Sequence, residues 1–163
     1  MNLLLTEIKQ KIYDKLNFEI SNYKDELESK EYNACRFQLN KFQIISRTAK
    51  ITPKKTGQFV TFWKRLNHGE IAPLDNTDHF VFFIINVSSN NRIGQFVFPK
   101  SILIEKAIIS TNTKEGKRGF RVYPSWDFPL SKQAQKSQKW QLNYFFEINS
   151  VNKLDNIEGL YKI

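Results

Sequence analysis

Eight consecutive residues, Phe80-Val81-Phe82-Phe83-Ile84-Ile85-Asn86-Val87, carry a single polar side chain. A strand with one face in water alternates apolar and polar positions, so a run without alternation belongs to a strand covered on both faces. The run is too short for a buried helix and rich in β-branched and aromatic types, which favours a strand. Such a strand needs a layer on each side. With 163 residues, 40% of them apolar, the chain has the length of one domain, residues 1–163, able to bury roughly 70% of the surface its unfolded form exposes.

The elements around that strand follow from periodicity. Leu5, Ile8, Ile12, Leu16, Ile20, Tyr23 and Leu27 are spaced by threes and fours and predict an amphipathic helix over about 3–28, which the poor helix formers of 17–22 could interrupt. Segments 33–38 and 42–49 read as a hairpin about Leu39-Asn40-Lys41, 58–65 as a strand, 67–77 as a loop, and 92–98 as the partner of 80–87. Pro99 opens a short helix over 100–106, where Ser101-Ile102-Leu103-Ile104 would equally suit a strand, 120–123 forms a short strand, and Ser131 caps a helix from Lys132 to about Ile148. Residues 149–163 form a short tail. The fold class is α+β, a mixed central sheet with flanking helices.

Fourteen Phe, six Tyr and three Trp exclude wholesale disorder. No run approaches the roughly 20 apolar residues of a membrane span, and Glu7 interrupts the N-terminal leucines before a signal core forms. A single cysteine, Cys35, gives no internal disulfide. A cytoplasmic protein without a membrane partner, monomer or weak dimer, is the expectation.

Charge is unevenly placed. Between Tyr32 and Gly69 there is no Asp or Glu, against Arg36, Lys41, Arg47, Lys50, Lys54, Lys55, Lys64 and Arg65. Between Lys114 and Trp140, seven cations face only Glu115 and Asp127, and these segments hold the excess behind the formal net charge of +9. Concentrated cations attract a polyanion and release its counterions on binding. Aromatic rings accompany them: Trp63 beside Lys64 and Arg65, with Gln58 on the same predicted strand, and Tyr123 and Trp126 close to Arg121. Lys132, Lys136 and Lys139 fall at i, i+4 and i+7, a comb along one side of a helix. With Arg36, Lys50, Lys54 and Lys55 these form the candidate nucleic-acid surface, suited to single-stranded or structured DNA or RNA. An acidic protein partner of a regulatory module is the alternative that charge alone allows.

Catalytic signals are sparse. One Cys and two His (His68, His79) do not supply a Cys/His zinc site, and no phosphate-binding glycine loop occurs. A nuclease using Mg²⁺ or Mn²⁺ needs carboxylates. Asp78 before the apolar strand and Gln95 on its partner are the candidates, with Lys100 as the nearest lysine and Asp78 as the candidate metal ligand. No other cofactor is indicated.

The segments Glu31-Tyr32-Asn33-Ala34-Cys35-Arg36-Phe37, Gly57-Gln58-Phe59-Val60-Thr61-Phe62-Trp63-Lys64-Arg65, Gly94-Gln95-Phe96-Val97-Phe98-Pro99-Lys100 and Lys117-Arg118-Gly119-Phe120-Arg121-Val122-Tyr123-Pro124 resemble the MepB-like family of small bacterial proteins, as does Lys132-Gln133-Ala134-Gln135 through Trp140-Gln141. The likeness runs from about Glu31 to Glu147. It implies a scaffold like that of the restriction endonucleases, whose pattern is an Asp followed by Glu/Gln-x-Lys on adjacent strands (the PD-(D/E)xK type). Asp78 and Gln95 match the first two positions, and Val97 departs from the lysine. The resemblance thus implies a nucleic-acid-binding domain on a nuclease-like scaffold with a degenerate site.

Overall fold

The computed structural model describes residues 1–149 and 153–163. Its main sheet has six strands: β1 (Ile20–Asp25), β2 (Cys35–Leu39), β3 (Phe42–Thr48), β8 (Phe82–Ser89), β9 (Arg92–Pro99) and β11 (Phe145–Glu147). They lie in the order β1-β2-β3-β8-β9-β11. Every pair is antiparallel except β3 and β8, whose register runs Ile44↔Phe82 to Thr48↔Asn86. This is the mixed-sheet α+β architecture that the apolar run demanded.

β8 divides the interior as expected. Phe83, Ile85 and Val87 face a cluster with Val60, Phe62, Phe96, Phe98, Leu103, Phe120 and Val122, while Phe82 and Ile84 face Leu5, Ile8, Ile12, Phe37, Leu39 and Tyr161. Phe62 and Phe83 stack with centroids 3.9 Å apart and planes 8° from parallel. One face is covered by α1 (Leu3–Ile8), capped by the Asn2 side chain accepting from Leu5 N at 2.9 Å, and by α4 (Leu154–Gly159). The other is covered by α2 (Lys100–Glu105) and by a second sheet rather than by helices alone.

That second sheet, in the order β10-β5-β4, consists of β4 (Lys50–Thr52), β5 (Lys55–Thr61) and β10 (Gly119–Val122). A small pair, β6 (Trp63–Arg65) with β7 (Ile71–Pro73), follows it, and α3 (Lys132–Gln141) hangs from β10. No helix among the described residues is long and apolar enough to cross a membrane.

Four expectations are corrected. The N-terminal helix stops early: α1 continues as a π-helical turn over Lys9–Tyr13, Asn17 turns left-handed with φ 59°, and Ile20–Asp25 is a strand. A bulge between Ser21 and Lys24 lets Ile20 pair with Leu39 while Tyr23 stacks on Phe37, so residues three apart reach one face and imitate helical spacing. The strand 58–65 breaks at Phe62, which turns into the core, and the loop 67–77 contains β7. Helix 132–148 ends at Gln141, passes through a 3₁₀ turn and becomes β11, because Phe145 seats its ring where a Cβ on Gly94 would stand, 2.5 Å away.

The predicted tail is part of the core. Ile157 and Tyr161 are each 3% exposed. The Tyr161 hydroxyl donates to Gln95 Oε1, which also accepts from Tyr13 at 3.0 Å, and Gln95 Nε2 donates to Asn86 Oδ1 at 2.7 Å. Burial pushes both phenols well above their ordinary pKa.

Candidate functional site

β5 is the middle strand of the second sheet, and its register fixes which side chains share a face. Lys50 and Arg121 both pair with Phe59, while Ile51 and Val122 both pair with Gln58. Because successive residues point to opposite sides, the first row is outward, and of the second Gln58 and Val122 are buried while Ile51, at the sheet's edge, is exposed. The outer row therefore sets a half-buried phenyl ring between an ammonium and a guanidinium. Tyr32 meets Phe59 edge-on at 6.3 Å, and Lys50 Nζ lies 5.4 Å from the centre of the Tyr32 ring.

Two glycines let rings lie close to this sheet. A Cβ on Gly119 would stand 2.6 Å from the Phe59 ring, and one on Gly57 would stand 2.6 Å from the Tyr123 ring. Gly57 also adopts φ 84°, a conformation that side chains disfavour. Arg121 reaches across the face, donating to Thr56 O at 3.2 Å and to Thr52 Oγ1. The two basic segments of the sequence are thus hydrogen-bonded neighbours through β5 and β10.

Lys54 and Lys55 sit at the β4–β5 turn and line a cavity with Asp127, whose carboxyl pKa burial pushes up. α3 is tied to β10 by Gln141, which donates to Arg121 O and accepts from Tyr123 N, both at 2.9 Å. Gln138 donates to Pro124 O at 3.0 Å and Asp127 O at 2.8 Å. These amides are structural, whereas Lys132, Lys136 and Lys139 are exposed. At 3.6 residues per turn, this comb lies nearly half a turn from the Gln138 and Gln141 face that approaches β10, on the side turned away from it. Among the described residues, Lys50, Lys54, Lys55, Arg121, Lys132, Lys136 and Lys139 have no carboxylate within ion-pair distance.

Other candidates lie elsewhere. Gln58 is buried and donates to Ser88 O at 3.2 Å, so it faces the core instead of the surface. Trp126 packs at 5.9 Å from Phe145 beneath Arg92, which Glu147 holds bidentately. Arg36 pairs with Glu26 at 2.8 Å, Arg65 with Glu28 at 2.7 Å, and Lys64 with Asp75 and Asp78 at 2.8 and 2.9 Å. Trp63 lies in this neutralised region with Arg65 5.6 Å from its ring centre. Half of the acid-free window is therefore balanced by carboxylates that flank it in sequence.

The nuclease constellation does not assemble. Asp78 and Lys100 meet, Lys100 Nζ donating to the Asp78 carbonyl. Gln95 is four positions before Pro99, fully buried and engaged with Tyr13, Tyr161 and Asn86 toward the opposite layer. Lys64 occupies the space between the Asp75 and Asp78 carboxylates that a cation would need. No group of three or more His, Cys, Asp or Glu among the described residues is arranged to hold a metal ion. The donor set does not fit Mg²⁺ or Mn²⁺, which want several oxygen ligands.

The same ion pair makes a pH prediction. Hydrogen bonds from Lys64 and Thr77 hold the Asp75 carboxyl down at about 2. A depressed carboxyl stabilises the fold above its unfolded pKa, about 3.9, and loses that contribution as pH falls toward its folded value. Thermal melts should therefore show an acid-limb loss between about pH 4 and 2 that is smaller in Asp75→Asn. Parallel curves for the two proteins would exclude the linkage.

Nothing in the sequence marks Phe59, Tyr32, Gly57 or Gly119 as surface-site residues. Phe59 lies between Gln58 and Val60 in a strand, and only its outward parity sets it apart. Its placement between Lys50 and Arg121 is a matter of register.

A family model described as MepB-like matches residues 26–147. The chain is also similar to a solved structure, "Crystal Structure of MepB", with a TM-score of 0.79 and 32% identity over 94% of this chain and 100% of that one. No curated protein matches the chain.

Proposed function

The chain belongs to the MepB-like family, and from that premise we propose that it is a binding module for single-stranded nucleic acid, gripping the strand on the outer face of β4, β5 and β10. The observation that carries this reading is the row Lys50–Phe59–Arg121, an aromatic ring between two cations that no carboxylate neutralises. Bases stack on Phe59 and Tyr32, each such contact being worth about 1–3 kcal/mol. Phosphates meet Lys50, Arg121 and the lysines of the β4–β5 turn, and the α3 comb, on the far side of that helix, adds to the overall positive field that attracts the strand. Arg121 has a planar fork suited to phosphate oxygens.

Charge alone would serve an acidic protein equally well. Half-buried rings seated over glycines serve a stack of bases better, since every base presents a flat face. The nuclease-type scaffold implied by the sequence resemblance adds no cutting site here, because Gln95 faces the core and Lys64 fills the gap between the carboxylates.

Fluorescence anisotropy with a labelled single-stranded oligonucleotide tests the proposal. Affinity should fall with salt at a log–log slope of about −3 if four phosphates are neutralised. Phe59→Ala and Arg121→Gln should each weaken binding about tenfold, while Arg65→Gln, on the neutralised side, should leave it unchanged. No binding at low salt, or equal losses in all three variants, would overturn the reading.

A further inference from the structure

Between the free edge of β10 and helix α3 lies a cavity of about 370 Å³. Its charged lining is Lys106, Lys117 and Arg121, with no carboxylate, and Ser131, Gln133 and Ser137 supply neutral donors from α3. Lys106 is held in place: its Nζ lies 5.6 Å from the centre of the Trp140 ring, which packs in turn at 5.3 Å on Phe98. Its nearest carboxylate, Glu105, is at a marginal 3.8 Å. Gln141 closes the strand edge behind the cavity through its two bonds to the Arg121 and Tyr123 backbone.

We propose that this cavity is a binding site for a phosphomonoester of mononucleotide size. The two lysines, one of them meeting a carboxylate only at the 3.8 Å margin, match the two negative charges of a phosphomonoester better than the single charge of a diester. A volume of this size lies at the lower end of small-ligand sites, enough for one nucleotide. Ile108, Phe120 and Trp140 supply its apolar wall, and a phosphomonoester is either the end of a chain or a free molecule. Charge-assisted hydrogen bonds from Lys106 and Lys117 hold the phosphate, and the α3 hydroxyls and amide complete its acceptor sites. The inference goes beyond strand binding, because Arg121 lines the cavity while its guanidinium is turned across the sheet to Thr52 and Thr56.

Calorimetric titration of the full chain with adenosine 5′-monophosphate and with adenosine tests it. The monophosphate should bind, with adenosine at least about tenfold weaker, and Lys117→Gln should lower monophosphate affinity about tenfold. Ser137→Trp, which fills the cavity, should abolish it. A 5′-phosphorylated trinucleotide compared with its 5′-hydroxyl form separates the sources. A phosphate-dependent gain assigns the site to strand ends, and its absence assigns it to free small molecules, with the phosphomonoester specificity upheld in both cases. Phe59→Ala should bind the monophosphate normally, so failure of strand binding leaves this result intact. Equal affinity for monophosphate and adenosine, or unchanged binding by Lys117→Gln, overturns the proposal.

Discussion

Glu26→Ala is expected to destabilise the protein by about 3 kcal/mol, lowering the melting temperature by roughly 6–12 °C. Arg47 is 1% exposed, in the second residue from the end of β3, with its Nη2 on Glu26 Oε2 at 2.9 Å and its Nη1 on Ser46 O at 3.0 Å. Its Nε has no partner, and burial already pushes the guanidinium pKa down. Removing the carboxylate strands a charge in a low-dielectric interior, the costly way to break a buried pair. Arg47→Met removes the charge along with its solvation cost and leaves Glu26 its other partner, Arg36 at 2.8 Å, so it should cost less than half as much. Chemical denaturation of the two variants decides the matter. A loss under about 1 kcal/mol for Glu26→Ala would mean that solvent relieves Arg47.

Tyr161→Ala is expected to cost about 3–4 kcal/mol, the range for deleting a buried ring. The ring meets Tyr13 at 5.6 Å, Phe18 at 5.4 Å and Phe82 at 6.3 Å, and its hydroxyl reaches Gln95. Tyr161→Phe keeps the ring and should cost about 1 kcal/mol, since Gln95 Oε1 retains the Tyr13 hydroxyl. Urea unfolding monitored by circular dichroism measures both. An alanine variant as stable as the parent would show that the last residues contribute nothing to the interior.

These two sites also mark where sequence reasoning succeeds and where it stops. β3, β8 and β9 were legible because β-branched and aromatic residues run unbroken between turn signals, and Asn40 and Asn90 adopt the left-handed conformations that tight hairpins require, φ 53° and 55°. β1 was not, because its bulge turns a spacing of two into one of three, and β11 was not, because an edge strand after a helix leaves no break in composition. Tyr161 is one tyrosine in a polar tail until Gln95 is known to lie opposite it. The basic segments were legible as a charge pattern, and their adjacency required the β5–β10 register. That Arg36, Lys64 and Arg65 are neutralised depends on Glu26, Glu28, Asp75 and Asp78 folding back from either side. Local sequence shows these residues only as neighbours of the window.

The lone parallel pair, β3 beside β8, has a consequence of its own. Strands that run the same way cannot be joined by a tight turn, so the chain must travel the length of the sheet before it can return. Everything from β4 to β7 is spent on that journey. The detour carries most of the outward row, while its inward residues Val60 and Phe62 pack on the six-stranded sheet. The detour's outward residues alone can therefore diverge among relatives, one substitution at a time, without disturbing the scaffold beneath.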